Sequence, residues 1–441
     1  MSRSRTSDSG RVPIAGTGRI VAIDIVRGLA IMWVVLYHLW TDLRYPNVYP
    51  DQGDAFRAIP HRFVDGNIAG GLTAISDAIL RVGYLGVPLF MMLSGLSLTL
   101  VTLRRHSEPR STPHALVRRL RRVMLPYWAG FVITLAFAAA LAFVQWQRHS
   151  GSGYIDYLQN GDISVDGGQL FAGALLLPRI FRDEWQFAPE GSLWFVLVIV
   201  QYYLMFPALL ALMKRVGPWL LLAATLAVTL ASHGALMAVD GNLIKHSAWV
   251  EMASPFRLFE FGAGMTLGYL LARRPQVLLG MSRPGPAIAS ATAGAVVFVA
   301  ASLIAPDAGA LAVLQGPAIV LAFLLIVIPL IVKAPGVIEA SYAGRALAWI
   351  GVISYTVLIV SEPLRSITHT MSAEQAADGW IMLWAVAYVP LTLALARPLA
   401  LSLGLVERPP ARVTVDQLVA PPVEVAVAAD APSPAASDRS S

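Results

Sequence analysis

Ten stretches of about 20 predominantly apolar residues run through this chain, each long enough to cross the hydrocarbon core of a bilayer as a helix. They lie approximately at Ile20 to Trp40, Val82 to Leu103, Val123 to Val144, Leu193 to Met213, Trp219 to Val239, Phe256 to Ala272, Pro286 to Ala305, Ala310 to Val332, Ala346 to Pro363 and Trp380 to Leu403. In lipid every backbone N–H and C=O must find its partner within the protein, so such runs are expected as helices. The sixth and ninth contain charges. Of the 441 residues 56% are hydrophobic and only 14% charged, where a soluble domain carries about 25% charged residues. The expected fold is therefore all-α: a polytopic membrane domain over residues 19–404 with about ten transmembrane helices.

Charge sets the expected orientation. With the N-terminus inside, the inner segments receive 21 Lys and Arg and the outer segments 9, the asymmetry that cytoplasmic loops show. Acidic residues run the other way, 16 outside against 8 inside, and weigh little in orientation. Both termini are then cytoplasmic, as an even helix count requires. Residues 1–18 read as a cytoplasmic tail, 145–192 as a long extracytoplasmic loop, and 405–441, rich in Pro, Ala, Val and Ser, as a disordered cytoplasmic tail. The first apolar run is expected to stay as a helix rather than be cleaved, because Asp24 and Arg27 interrupt it and no A-x-A-like site follows His38. The Leu170 to Leu177 run is too short to span and reads as an interfacial or re-entrant piece. The net charge of +6 belongs to the inner loops, which argues against nucleic acid as a partner. With no cysteine, a disulfide, a cysteine-ligated zinc and an acyl-cysteine are all excluded.

Ionisable groups inside a bilayer are costly and mark function by default. Six stand out: Asp24, Arg27, His38, Arg257, Glu260 and Glu362. Arg27 and His38 are eleven residues apart on one helix, about 16 Å along its axis and close to three whole turns, so both project from one face. Arg27 falls at cytoplasmic depth and His38 near the outer end. An imidazole there is suited to act as a base near neutral pH; the plainer alternative is an interfacial hydrogen bond for His38 and a snorkelling Arg27. Asp42, at i+4 from His38, has the spacing to hold the ring nitrogen.

Seven arginines lie between Arg104 and Arg122, more than topology demands. Arg119 and Arg122 share a helix face and offer two planar forks to phosphate oxygens, which points to a soluble polyanionic cosubstrate from the cytoplasm. Arg257 and Glu260, at i, i+3 in the sixth helix, read first as an intramembrane ion pair. Glu362, just before Pro363, lacks a sequence-local partner in this reading and is the better functional carboxylate. Tyr154, Tyr157, Trp185 and Phe187 of the outer loop suit sugar rings or anchor the loop at the interface.

Several blocks in order along the chain resemble a known family. RIVAIDIVRGLAIMWVVLYH, with ten residues between Arg27 and His38, is followed by VGYLGVPLFMMLSGLSLT, by RRLRRVMLPYW with Arg119 and Arg122, and by GSLWFVLVIVQYYLMFPALL, FRLFEFGAGMTLG and ISYTVLIVSEPL. Over roughly Arg19 to Leu403 the chain is similar to the acyltransferase 3 family of integral membrane acyltransferases. The resemblance implies O-acyl transfer, usually of acetyl, from cytoplasmic acyl-CoA to a hydroxyl of an extracytoplasmic acceptor, often a cell-surface or secreted glycan. It implies acyl-CoA as cosubstrate, no metal, and a multi-pass protein of the plasma or inner membrane. By the same resemblance His38 is the catalytic histidine, Arg27 supports it, and Arg119 and Arg122 bind the donor.

The chain departs from the family pattern in three places. Ile199 stands where many members have a glutamate, Ser361 where members often have a histidine, and the short polar tail is not expected to form the fused hydrolase-like domain that some members carry. His38 then serves either as base for direct transfer or as acyl carrier, with Glu362 orienting the imidazole or stabilising its cation. The competing expectation is a proton-coupled transporter or flippase of a small polar solute or lipid-linked sugar, built on the same buried Arg, His and Glu set. The chain carries no internal repeat of the kind many such carriers have.

Overall fold

In the computed structural model the described residues are 20–44, 56, 59–61, 68–104, 112–149, 194–240, 252–304, 311–333, 338, 341–373 and 378–405. Among them the chain forms twelve α-helices and no strand. We number them α1 (Val21–Arg44), α2 (Ile68–Arg81), α3 (Gly86–Arg104), α4 (Thr112–His149), α5 (Trp194–Val216), α6 (Pro218–Asp240), α7 (Leu258–Arg273), α8 (Pro284–Ser302), α9 (Ala312–Lys333), α10 (Tyr342–Val352), α11 (Ser354–Ala373) and α12 (Asp378–Ser402). One-turn 3-10 helices, Gly83–Leu85 and Ser254–Arg257, lead into α3 and α7.

Seven of these helices are long and apolar enough to cross a membrane: α1, α3 with its leading turn, α5, α6, α8, α9 and α12. Up to eight qualify if α10 and the first part of α11 form one broken span. The protein is thus a multi-pass membrane protein, with seven or eight such spans among the described residues where the sequence suggests about ten. The third expected run lies inside the 38-residue α4, which continues to His149 and so takes in the start of the loop expected from residue 145. The sixth run resolves into a 3-10 turn followed by a 16-residue helix. The ninth bends by 79° between α10 and α11. The tails at 1–18 and 406–441, the Leu170 to Leu177 run and the aromatic residues expected of the outer loop lie outside the described residues.

Local chemistry ends the helices where they end. Gly217 takes φ +87° and its N–H donates to the Met213 carbonyl at 2.9 Å, a left-handed cap that stops α5. Pro218 follows at once as the first residue of α6, where its missing N–H costs nothing. At the end of α12, Gly404 (φ +63°) donates to Leu401 and Leu405 donates to Ala400, the paired bonds of a Schellman turn.

Small residues let two helix pairs approach backbone to backbone, the usual device for packing in lipid. A Cβ on Gly95 would strike the Phe261 carbonyl and one on Gly264 the Met92 carbonyl, so α3 and α7 are locked together. A Cβ on Gly28 would likewise strike the Leu347 carbonyl and one on Gly351 the Asp24 carbonyl, locking α1 to α10. Tyr202 stacks on Phe261 at 4.6 Å between ring centres and ties α5 to the first of these pairs. The periphery turns large apolar side chains outward, among them Ile288 and Val296 of α8 and Met382, Leu383 and Val386 of α12. That surface matches lipid rather than water.

Candidate functional site

Helix α1 carries polar side chains toward two neighbours at two depths. Near its start, Arg27 Nη2 donates to Ser97 Oγ of α3 at 3.0 Å. Three turns on, His38 Nε2 faces Glu362 Oε1 of α11 at 4.0 Å. The shared face that the eleven-residue spacing predicts thus opens between α3 and α11.

At the His38 end, four ionisable side chains come together from two helices. Glu362 Oε2 lies 3.8 Å from Arg365 Nη1, one turn along α11. Arg365 in turn grips Asp42 with two parallel bonds, Nε to Oδ2 at 2.7 Å and Nη2 to Oδ1 at 3.0 Å. Asp42 and Glu362 are almost wholly buried. Both Asp42 oxygens therefore accept from Arg365 of α11, whereas the i+4 spacing suggests a hold on His38 along α1. Glu362 also has a sequence-local partner after all: Arg365, at i+3, which the sequence reading passes over. The helix carries straight past Pro363, so both residues stay on one face of α11. Tyr388 of α12 closes the back of the group, donating to the Ser361 carbonyl at 3.0 Å. The Tyr37 ring lies 5.1 Å from that of His38 and 5.8 Å from that of Tyr84.

The arginines gather at the opposite end. Arg119 Nη2 donates to Thr102 Oγ1 of α3 at 2.8 Å, and its guanidinium lies over the Phe206 ring of α5 at 5.4 Å. Arg122, one turn on and exposed, donates to the Leu405 carbonyl just past α12 at 3.3 Å. The hydroxyl of Tyr203 on α5 lies within the electrostatic reach of Arg27, Arg119 and Arg122 together. Arg27 and Arg119 thus bond to hydroxyls five residues apart on α3, those of Ser97 and Thr102. Tyr355 of α11 reaches the same region and donates to the Val123 carbonyl of α4 at 2.9 Å. Neither tyrosine is singled out by sequence spacing, since the partners of each are remote along the chain.

Arg257 and Glu260 form a separate pair, and Asp24 lies one turn before Arg27 on α1. Asp24 is buried where α1 meets α10. Arg257 Nη1 pairs with Glu260 Oε1 at 3.0 Å, as the i, i+3 spacing predicts, although Arg257 itself stands in the 3-10 turn before α7 rather than in the α-helix. Its guanidinium also covers the Trp194 ring at 5.1 Å. Gln201 secures the approach to that turn: its Nε2 donates to the Met252 carbonyl and its Oε1 accepts from the Ser254 N–H, both at 2.9 Å.

A family model described as an acyltransferase domain, that of the acyltransferase 3 family, matches residues 20–400. The chain belongs to that family. No curated protein and no solved structure matches it. Membership in the acyltransferase 3 family makes this a membrane acyltransferase, and the matched range takes in every side chain of both groups described above.

Proposed function

We propose that this acyltransferase 3 protein moves an acyl group, typically acetyl, from acyl-CoA on the cytoplasmic side to a hydroxyl of a carbohydrate or glycan on the other side. Both termini are cytoplasmic and the membrane is the plasma or inner membrane. The observation that carries this reading is the approach of His38 to Glu362 toward one end of α1, with Arg27, about three turns away, and Arg119 bonded to neighbouring turns of α3 toward the other.

Arginine forks suit the phosphates of CoA because they meet phosphate oxygens in a planar, two-point manner. With the phosphates held there, the thin pantetheine arm of the donor extends between the helices toward His38. His38 takes the proton from the acceptor hydroxyl as that oxygen attacks the thioester carbon. The C–S bond breaks, and the proton passes to the departing thiolate. In the other form of the mechanism the imidazole itself attacks first, and the acyl group then moves to the hydroxyl. In both forms Glu362 orients the ring and stabilises its cation. Family membership favours this transferase over a proton-coupled carrier or flippase.

Transfer of label from radiolabelled acetyl-CoA in isolated membranes tests the reading. Wild type should label acceptor material and His38→Ala should reduce labelling to background at equal protein level. Undiminished labelling by His38→Ala, or a solute gradient without any labelled product, overturns it.

A further inference from the structure

Asp42 and Arg365 lie one turn beyond His38 and Glu362 on the same two helices, so α1 and α11 face each other with two cross-helix pairs, one above the other. The pairs are unequal. Asp42 to Arg365 is a close two-point contact at 2.7 and 3.0 Å, whereas His38 to Glu362, at 4.0 Å, is an ion-pair distance beyond hydrogen-bond length. Arg365 is also near Glu362, with its third nitrogen 3.8 Å from Oε2. One guanidinium therefore stands between two carboxylates that would each accept it, and only Asp42 has it by both prongs.

We propose that Asp42 is a positioning residue that keeps Arg365 off Glu362, leaving the Glu362 carboxylate to His38. A planar guanidinium binds a carboxylate best through two parallel bonds. While Asp42 occupies Nε and Nη2, Arg365 has a single nitrogen turned to Glu362. Without the Asp42 charge, the partly buried cation is drawn to an anion within its reach, because a charge withdrawn from water and left without compensation is disfavoured. That anion is Glu362, one turn away on the same helix face. The carboxylate is then drawn toward Arg365 and away from the imidazole it serves.

This inference rests on the role proposed for the His38 and Glu362 pair, and it has a signature that a purely structural contact lacks. Asp42→Asn should slow acyl transfer at least tenfold in kcat with little change in KM for the acyl donor, whose phosphates bind at the other end of α1. Replacing Arg365 as well, in Asp42→Asn/Arg365→Gln, should recover a substantial part of that loss, since the competing cation is gone. If the pair merely held the two helices together, the double variant would be as slow as the single one or slower at equal yield and melting temperature, and that result overturns the inference. His38→Ala run beside them separates the two failures. Full activity there removes the reading and the inference together, whereas an inactive His38→Ala beside an unrescued double variant removes the inference alone.

Discussion

His38 Nε2 lies 4.0 Å from Glu362 Oε1, and the two residues come from α1 and α11, near opposite ends of the chain. No local spacing makes this contact. It exists because the glycines at 28 and 351 bring α1 against α10, and the bend after α10 then aims α11 back along α1.

Glu362→Gln keeps the size of the side chain and removes its charge. If the carboxylate supports the imidazolium, acyl transfer should fall by roughly a hundred- to ten-thousand-fold, the range for a general acid–base contribution, with the protein level unchanged. The check is labelled acetyl transfer in membranes normalised to expressed protein. Full activity in this variant would end the role given to Glu362.

If Arg119 and Arg122 hold the donor phosphates, Arg119→Ala and Arg122→Ala should raise the KM for acyl-CoA far more than they lower kcat, since such contacts do not reach the reacting atoms. Arg119→Lys should recover only part of the affinity, since a lysine offers a point charge in place of a planar fork. Saturation curves at a fixed acceptor concentration decide this, and an unchanged donor KM in both alanine variants would remove these residues from the donor site.

The chain has no cysteine, so a single introduced thiol reports the side it faces without any background. Arg215 is exposed at the turn between α5 and α6, and Gly379 at the start of α12 has open space around it. With both termini in the cytoplasm, a membrane-impermeant maleimide should label Gly379→Cys in intact cells and Arg215→Cys only after lysis. The reverse pattern would turn the arginine cluster to the outside and remove the cytoplasmic donor from the scheme.

Gly264→Val should cripple folding rather than chemistry. Its Cβ would run into the Met92 carbonyl, a backbone atom that cannot step aside. Overpacking of this kind costs about 1–3 kcal/mol and more where backbone must move. A lower melting temperature in detergent is expected, together with loss of the monodisperse species. Gly280→Val, where nothing stands within 4 Å, should leave both at wild-type values.

The spans were legible in the sequence to the extent that bilayer thickness dictates them. Long apolar runs such as Ile20 to Trp40 or Ala310 to Val332 need only length and composition to be read. The bend at residue 353 was not, because the ISYTV segment holds neither a proline nor a glycine at the break, and the close approach of α10 to α1 decides it. Within the site, local pairs were readable and remote ones were not. Arg257 and Glu260 announce each other at i, i+3. Asp42 accepts from Arg365 on a helix at the far end of the chain, a partner that no spacing along α1 announces. Arg365 does not stand out in the sequence because it lies beyond Pro363, past the end of the expected ninth span, although α11 continues through that proline.

One helix, α1, holds Arg27 toward one end and His38 toward the other, so in the proposed mechanism it is a ruler between the place where phosphates are read and the place where the acyl group is handed over. The distance is a property of the helix, about 1.5 Å for each residue between them, and so is the direction, about 100° for each. On that mechanism a donor would be accepted or refused partly on the length of its arm. An added residue between Arg27 and His38 would turn the imidazole off α11 altogether, whereas two added turns would restore its direction and leave the same donor too short.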